Sequence, residues 1–412
     1  MSGSSDHCSD SQQHDRPLPP APGPRAVLVA GNELTVFVEW PALLEAMLGD
    51  IGRARGRVWV ETYIFADDAG GRRFAEALKE RARAGVDVRV QYDAVGSALT
   101  PGAFFSDLAA AGVKVHAYHT LWEGFKRFNP LRILNRRDHR KLLVVDEAAG
   151  YFGGMNLIDN AEPVRPRKPP RLAQATGWRD VHLRLAGPQQ GQLAESFERS
   201  WCRAHGRRKA RLPRVSLRAQ LRQLEGRRGV EESIHFFDSG PRGPLSRAAR
   251  VYTRMVRRAQ SRITLAMAYF IPVGGVLRAL LAARKRGVGV RVIVPGKSDV
   301  PVVQHVTAYL YDRLIRRGFR VYERQQRMLH SKVMIVDELY TLVGSANLDP
   351  RSLYINLEFL AVIRSAELAR QMQEVCRFEM AHSRRITMAD CRRIGPWARL
   401  RNRLAWLVRW WL

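Results

Sequence analysis

Two segments of this 412-residue chain repeat each other at their polar positions, 139–156 (HRKLLVVDEAAGYFGGMN) and 330–347 (HSKVMIVDELYTLVGSAN). His139, Lys141, Asp146, Gly153 and Asn156 fall at the same offsets as His330, Lys332, Asp337, Gly344 and Asn347. In each copy four apolar residues follow the lysine, Leu142–Val145 and Val333–Val336, the pattern of a buried strand. Residues two apart on a strand share a face, so each copy presents an imidazole beside an ammonium. The duplication reaches further: GVDVRV at 85–90 is answered by GVGVRV at 287–292. Strand and helix patterns precede both, Val58–Phe65 with Gly71–Ala84 and Ile263–Ile271 with Val276–Arg286. A period this long lies outside solenoid repeats and predicts two copies of one α/β lobe.

The rest of the chain divides around those lobes. Residues 1–26, rich in Ser, Asp, Gln and Pro, read as a disordered tail, and 27–204 and 233–390 as the two lobes. Residues 205–232 read as a basic linker and 391–412 as a basic amphipathic tail, while Val164–Arg171 (VRPRKPPR) reads as an exposed Pro-rich loop. Lys and Arg number 68 against 39 Asp and Glu, a net charge of +29, which calls for an anionic partner, nucleic acid or acidic lipid. Cys8, Cys202, Cys376 and Cys391 show no CxxC spacing, which excludes a zinc ribbon and a disulfide framework. No long uncharged apolar run and no signal-peptide pattern occur, so the expectation is a protein peripheral on the cytoplasmic face of a membrane.

If the lobes meet, two imidazoles, two ammoniums and two carboxamides surround one small anionic group. A phosphodiester fits both charge and chemistry. One neutral histidine can attack phosphorus while the other, protonated, supplies the leaving alcohol with a proton. Lys141 and Lys332 would hold the nonbridging oxygens. Gly153–Gly154 and Gly344–Ser345 are expected to allow close backbone approach to the ligand, with Asn156 and Asn347 as donors. Asp180 and Glu358, downstream of the first and second motif, suit the orientation of the histidines. Asp146 and Asp337, ending buried strands, read as structural. Clustered cations disfavour a metal, and neither metal nor other cofactor is expected.

The duplicated His-x-Lys-x4-Asp segments with GG-x-N and GS-x-N resemble the phospholipase D superfamily over about residues 27–390. That resemblance implies two αβαβα-sandwich lobes with the site at their interface, a phosphohistidine intermediate and metal independence. It makes Asp180 and Glu358 the carboxylates on the catalytic histidines, and His139 the usual nucleophile. The stretches NRRDHRKLLVVD, WRDVHLRLAGP, AYFIP and GSANLDPRSLYINLE resemble bacterial cardiolipin synthases, particularly the shorter B-type enzymes. This implies transfer of a phosphatidyl group from one phosphatidylglycerol to another with release of glycerol. A hydrolytic phospholipase D is the principal alternative, ahead of a metal-independent nuclease or an inactive membrane-binding relative.

The C-terminal segment favours lipid over nucleic acid. Pro396–Leu412 places Trp397, Leu400, Leu404, Leu407, Val408 and Trp411 at helical spacing among Arg401, Arg403 and Arg409. Together with Trp406 and Trp410 these residues read as a membrane-binding helix lying in the interface of an anionic phosphatidylglycerol- and cardiolipin-containing bilayer, in bacteria the inner membrane.

Overall fold

The computed structural model of the chain describes residues 22–119, 135–159, 177–205, 216–225, 232–241 and 246–411, without the side chains of 223–225 and 411. The loop at 164–171 and most of the basic linker lie outside them. The first lobe contains strands β1 (Arg25–Val29), β2 (Asn32–Phe37), β3 (Arg57–Thr62), β4 (Asp87–Asp93), β5 (Lys114–Tyr118), β6 (Leu142–Val145), β7 (Ala149–Gly153), β8 (Trp178–Arg179) and β9 (His182–Ala186). Its helices are α1 (Trp40–Arg53), α2 (Ala69–Arg83), α3 (Gly102–Ala110) and α4 (Gln190–Ala204), and α5 (Leu217–Glu225) follows within the basic segment.

The second lobe contains β10 (Ser233–Ser239), β11 (Arg262–Met267), β12 (Gly289–Pro295), β13 (Arg320–Arg324), β14 (Met328–Leu329), β15 (Lys332–Val336), β16 (Tyr340–Gly344), β17 (Glu358–Arg364) and β18 (Ser383–Ile386). Its helices are α6 (Arg247–Arg258), α7 (Gly274–Lys285), α8 (Pro301–Ile315), α9 (Pro350–Tyr354), α10 (Ala366–Ala381), α11 (Met388–Arg393) and α12 (Pro396–Leu407).

Each lobe is built on one eight-stranded sheet, ordered β1-β2-β9-β7-β6-β3-β4-β5 and β10-β17-β16-β15-β11-β12-β13-β18. Strand for strand, β2-β9-β7-β6-β3-β4-β5 superposes in order on β10-β17-β16-β15-β11-β12-β13, so the sequence repeat is a repeat of topology. The motif strands β6 and β15 lie centrally, antiparallel to β3 and β11. Their all-buried apolar runs suit that two-sided burial. The GVDVRV and GVGVRV segments enter β4 and β12 from the ends of α2 and α7, and Gly85 (φ 85°) and Gly287 (φ 90°) take the left-handed conformation that ends each helix. β1 begins at Arg25, so ordered structure starts inside the stretch read as a tail. α5 lies within the basic linker and buries Leu217 against the second lobe.

Helices α1, α2 and α3 cover the outer face of the first sheet, and α6, α7 and α8 that of the second. The inner faces meet around α4 and α10 in a central core that takes residues from both lobes. Phe236 stacks there on Phe359 and Phe152 meets both rings edge-on, with centroids 5.4–5.9 Å apart. A buried ionic network also crosses the interface. Glu379 receives Arg179 (Nε, 3.0 Å) and Arg324 (Nε, 2.7 Å), while Glu39 pairs with Arg179 and takes both Arg327 nitrogens at 3.0 and 3.1 Å.

The C-terminal helix α12 packs on α8 through buried Ala405 and Asn402. Trp406, expected at the membrane, instead stacks on Tyr309 (centroids 5.2 Å apart) and faces the protein, because helical spacing puts it beside Ala405 and Asn402. Arg409 lies over the rings of Trp406 and Trp410 at 4.5 and 5.3 Å and donates to the Trp406 carbonyl at 2.8 Å. Trp397, Leu400, Arg401, Arg403, Leu404 and Trp410 point outward.

If the three-ring contact holds the lobes together, Phe152→Ala, at a fully buried side chain, should cost about 3–5 kcal/mol of stability in urea unfolding. A loss below about 1 kcal/mol would show that the interface does not depend on it.

Candidate active site

Two short β-bridges place the polar residues. β8 pairs in parallel with β14, Met328 opposite Trp178 and Leu329 opposite Arg179, and the His330 amide donates to the Arg179 carbonyl at 2.6 Å. In the mirror position Asp138 bridges Leu357, the His139 amide donates to the Leu357 carbonyl at 3.0 Å, and the Leu357 amide to the Arg137 carbonyl at 2.9 Å. Each pairing carries one lobe's histidine to the carboxylate of the other. His330 Nδ1 lies 2.6 Å from Asp180 Oδ2, and His139 Nδ1 lies 3.1 Å from Glu358 Oε2. Asp180 and Glu358 thus follow their own motifs in sequence but serve the opposite ones in space.

The lysines complete the cluster. Lys332 Nζ lies 2.7 Å from His330 Nδ1 and 3.4 Å from Asp180 Oδ2. Lys141 donates to the His139 carbonyl at 2.7 Å and sits over the Tyr63 ring, 5.3 Å from its centroid. Tyr63 also meets His139 edge-on at 5.1 Å, and Trp178 stacks on His330 at 4.5 Å. Between His139 and Lys141 the chain turns Arg140 the other way, into the first lobe, where it meets Glu61 (2.8 Å), Asp138 (3.0 Å) and Ser200. This alternation is the strand periodicity that the His-x-Lys spacing predicts.

The glycines correct an expectation. A side chain at Gly153 would meet the Val181 carbonyl at 2.5 Å, at Gly154 the Asp180 carboxylate at 2.2 Å, and at Gly344 the Phe359 carbonyl at 2.1 Å. Their smallness admits the neighbouring strand and the orienting carboxylate rather than a ligand. Ser345 replaces the second glycine in the second lobe, and its hydroxyl donates to Glu358 Oε2. Asn156 accepts from the Ile64 amide at 3.3 Å, whereas Asn347 Oδ1 is buried without a hydrogen-bond partner among the described residues. Asp146 (φ 46°) accepts from the amides of Arg55, Gly56 and Arg57 at 2.7–2.9 Å, and Asp337 (φ 53°) from those of Gln260, Ser261 and Arg262 at 2.8–3.0 Å. Both close a tight turn remote from the histidines, in a conformation that Asp tolerates better than most residues.

Burial and the neighbouring Lys141 ammonium push His139 down to about 4, although Glu358 pulls it up. Burial, then the Lys332 charge, brings Lys141 down to about 7. His330 is lowered by burial and Lys332 against the pull of Asp180, and Lys332 by burial against Asp180. Burial works to raise both carboxylates, but their partners outweigh it and hold them ionised, the Lys332 charge and the His330 hydrogen bond for Asp180, the His139 hydrogen bond and the Lys141 charge for Glu358. The histidines are therefore neutral at physiological pH, each with Nδ1 turned to a carboxylate; His139 Nε2 is left for chemistry, while His330 Nε2 lies 3.2 Å from Lys332 Nζ. Lys332 acts on both His139 and Lys141, which places the two halves within one electrostatic field.

Besides Tyr63, His182 escapes the sequence reading. His182, at the start of β9, is buried, has no hydrogen-bond partner for either ring nitrogen among the described residues, and is pushed down to about 3 by burial. Only its place two residues after Asp180 could have marked it. Among the described residues no cluster of three His, Cys, Asp or Glu could hold a metal ion, and no helix is long and apolar enough to cross a membrane.

The family described as cardiolipin synthase, PLD-like domain, matches residues 47–164 and 252–379, one segment in each lobe. The chain is 32% identical over 384 residues to cardiolipin synthase A of Pseudomonas entomophila strain L48, covering 93% of this chain and 76% of that one. It is 34% identical over 385 residues to cardiolipin synthase A of Pseudomonas aeruginosa strain LESB58, covering 93% and 74%. In structure it resembles phosphatidylserine synthase of Haemophilus influenzae Rd KW20 (TM-score 0.64, 15% identity, 92% of this chain and 95% of that one). Polyphosphate kinase of Porphyromonas gingivalis shares the fold more distantly (TM-score 0.55, 13% identity, 88% and 49%).

The burial of His139 has a direct readout. In an NMR titration its ring should stay neutral as pH falls and charge only near pH 4. Titration near the ordinary value of about 6.5 would mean that burial does not control it.

Proposed function

The chain belongs to the phospholipase D superfamily, within the cardiolipin synthase-like family, and on that premise we propose that its cross-lobe site transfers a phosphatidyl group from one phosphatidylglycerol to the hydroxyl of another. The observation that carries this reading is the exchange of carboxylates between lobes. It leaves two neutral imidazoles beside two lysines in a single buried field, with Lys332 Nζ 3.2 Å from His330 Nε2.

A neutral imidazole suits a nucleophile at neutral pH, and His139, which burial brings down to about 4, takes that role. Its Nε2 bonds to the donor's phosphorus as the P–O bond to glycerol breaks, and the departing oxygen takes a proton from His330. His330 holds that proton against Asp180 while a phosphodiester anion occupies the site. In the second half the acceptor hydroxyl gives its proton back to His330 and attacks phosphorus. The P–N bond breaks and His139 leaves neutral. Glu358 spreads the positive charge that His139 carries while phosphorylated, as Asp180 does for His330. Lys141, Lys332 and the amides of Asn156 and Asn347 hold the nonbridging oxygens. Asn347 Oδ1, unpartnered among the described residues, can only accept, and the hydroxyl of the incoming lipid is a donor it would suit. Asp146 and Asp337 shape turns in this reading, and water in place of the acceptor would give hydrolysis.

The active-site cations suit an anionic phospholipid. The similarity to A-type synthases supports cardiolipin as product, and the sequence likeness to shorter B-type enzymes leaves the substrate pair unchanged.

Mass spectrometry of products from phosphatidylglycerol vesicles, with a DNA control, tests the reading. Cardiolipin with stoichiometric glycerol is expected. Phosphatidic acid alone would make the chain a hydrolase, and cut DNA a nuclease. His139→Ala and His330→Ala should each lower turnover by several orders of magnitude, and the double variant should be little worse, since groups acting as a unit lose activity non-additively. On a short-chain soluble substrate kcat/KM should fall as pH rises through about 7, where Lys141 gives up its charge. A flat alkaline profile would remove Lys141 from phosphate binding.

A further inference from the structure

Ten large apolar side chains stand exposed among the described residues, and six lie on one short stretch: Trp397, Leu400, Leu404, Leu407, Val408 and Trp410. Trp397 is 82% exposed and Leu407 65%, values that leave whole side chains in water. Their spacing of three and four residues gathers Trp397, Leu400, Leu404 and Leu407 on one face of α12, opposite the Ala405–Asn402 side that docks on α8. A contiguous apolar face of this kind marks an interaction surface.

Charge selects the occupant. Residues 391–412 carry six arginines and no acidic residue, and Arg401 and Arg403 are exposed beside the apolar face. A second copy meeting this face across a twofold axis would set those arginines against their own kind, which like-charge repulsion opposes. An anionic lipid leaflet instead receives both parts, arginines among headgroups and tryptophan and leucine at the acyl boundary.

The position of the helix ties that surface to the site. Ala405 packs with Ile271, Val303 and Val306, flanked by Tyr269 and Val300. The Tyr269 hydroxyl donates to the Asp299 carboxylate, 2.8 and 2.9 Å from its two oxygens. The Asp299 charge in turn acts on His330 and Lys332. One side-chain layer therefore separates α12 from the groups that influence the second-lobe histidine.

We propose that the outward face of α12 is the surface on which the protein lies on an anionic bilayer, seating the catalytic cleft at the level of the headgroups. The proposal deepens the phosphatidyltransferase reading, because it states how an insoluble substrate reaches a buried site. Its test does not require turnover.

The full chain carrying His139→Ala would be mixed with vesicles of phosphatidylcholine alone or with phosphatidylglycerol, and binding read by flotation. Adding Trp397→Ser, Leu400→Ser, Leu404→Ser and Leu407→Ser should weaken binding to the phosphatidylglycerol vesicles at least tenfold, with unchanged melting temperature and unchanged size in lipid-free solution. Unchanged vesicle binding, or a shift in oligomeric state without lipid, would overturn the proposal, the latter by making the occupant a second copy. Should the serine variant fail to fold, Arg401→Gln with Arg403→Gln decides. Weaker, less salt-sensitive binding to anionic vesicles supports a lipid surface, and unaltered binding overturns it. Cardiolipin formation from dispersed short-chain substrate, measured separately in the unmodified chain, tells failure of this inference from failure of the transferase reading.

Discussion

Everything at the centre of this molecule depends on one exchange: each lobe supplies a histidine that finds its carboxylate on the other lobe. The exchange is enforced by backbone, since two brief parallel pairings, β8 with β14 and Asp138 with Leu357, fix where His330 and His139 emerge. Burying a carboxylate or an ammonium costs several kcal/mol unless a partner offsets it. Asp180, Glu358 and Lys332 are all buried here, and each has a compensating partner from across the interface. A lobe on its own would expose half a site and leave buried charges without their complements, so assembly and chemistry are one requirement.

The surrounding structure serves that requirement in layers. The aromatic contact of Phe152, Phe236 and Phe359 presses the sheets together, and the network of Glu39, Arg179, Arg324, Arg327 and Glu379 fixes the strand that carries Asp180. Gly153, Gly154 and Gly344 remove the bulk that would hold β9, Asp180 and β17 away. The resulting low-polarity field keeps His139 neutral and brings Lys141 close to neutrality, so a bound phosphodiester anion would favour the charged forms of both.

The two lobes are copies in topology but have diverged in chemistry. Arg140 turns inward to Glu61, Asp138 and Ser200, whereas its counterpart Ser331 makes only a long contact to the Arg179 carbonyl, 3.5 Å away. Ser345 donates to Glu358 where Gly154 leaves Asp180 to its own backbone and to His330. Such differences give two imidazoles of common ancestry different surroundings, which is what a reaction needing a nucleophile from one and a proton from the other demands.

What the sequence alone determined was whatever repeats at a fixed spacing. The apolar runs after Lys141 and Lys332 dictated central strands, the two-residue offset from His to Lys dictated a shared face, and GVDVRV with GVGVRV dictated paired helix ends and strands. These are properties of neighbours along the chain, where periodicity is enough. Partnership across distance came from tertiary contact alone. Nothing local in the chain tells Asp180 to serve His330 rather than His139, tells Tyr63 and Trp178 to frame the imidazoles, or leaves His182 buried without a hydrogen-bond partner among the described residues. The same limit governs the C-terminal helix, whose amphipathic pattern was legible while the side it turns to the protein was not. Trp406 and Trp397 have equal claims by composition, and only the surface of α8 selects which is buried, because an apolar residue's fate depends on the shape that meets it.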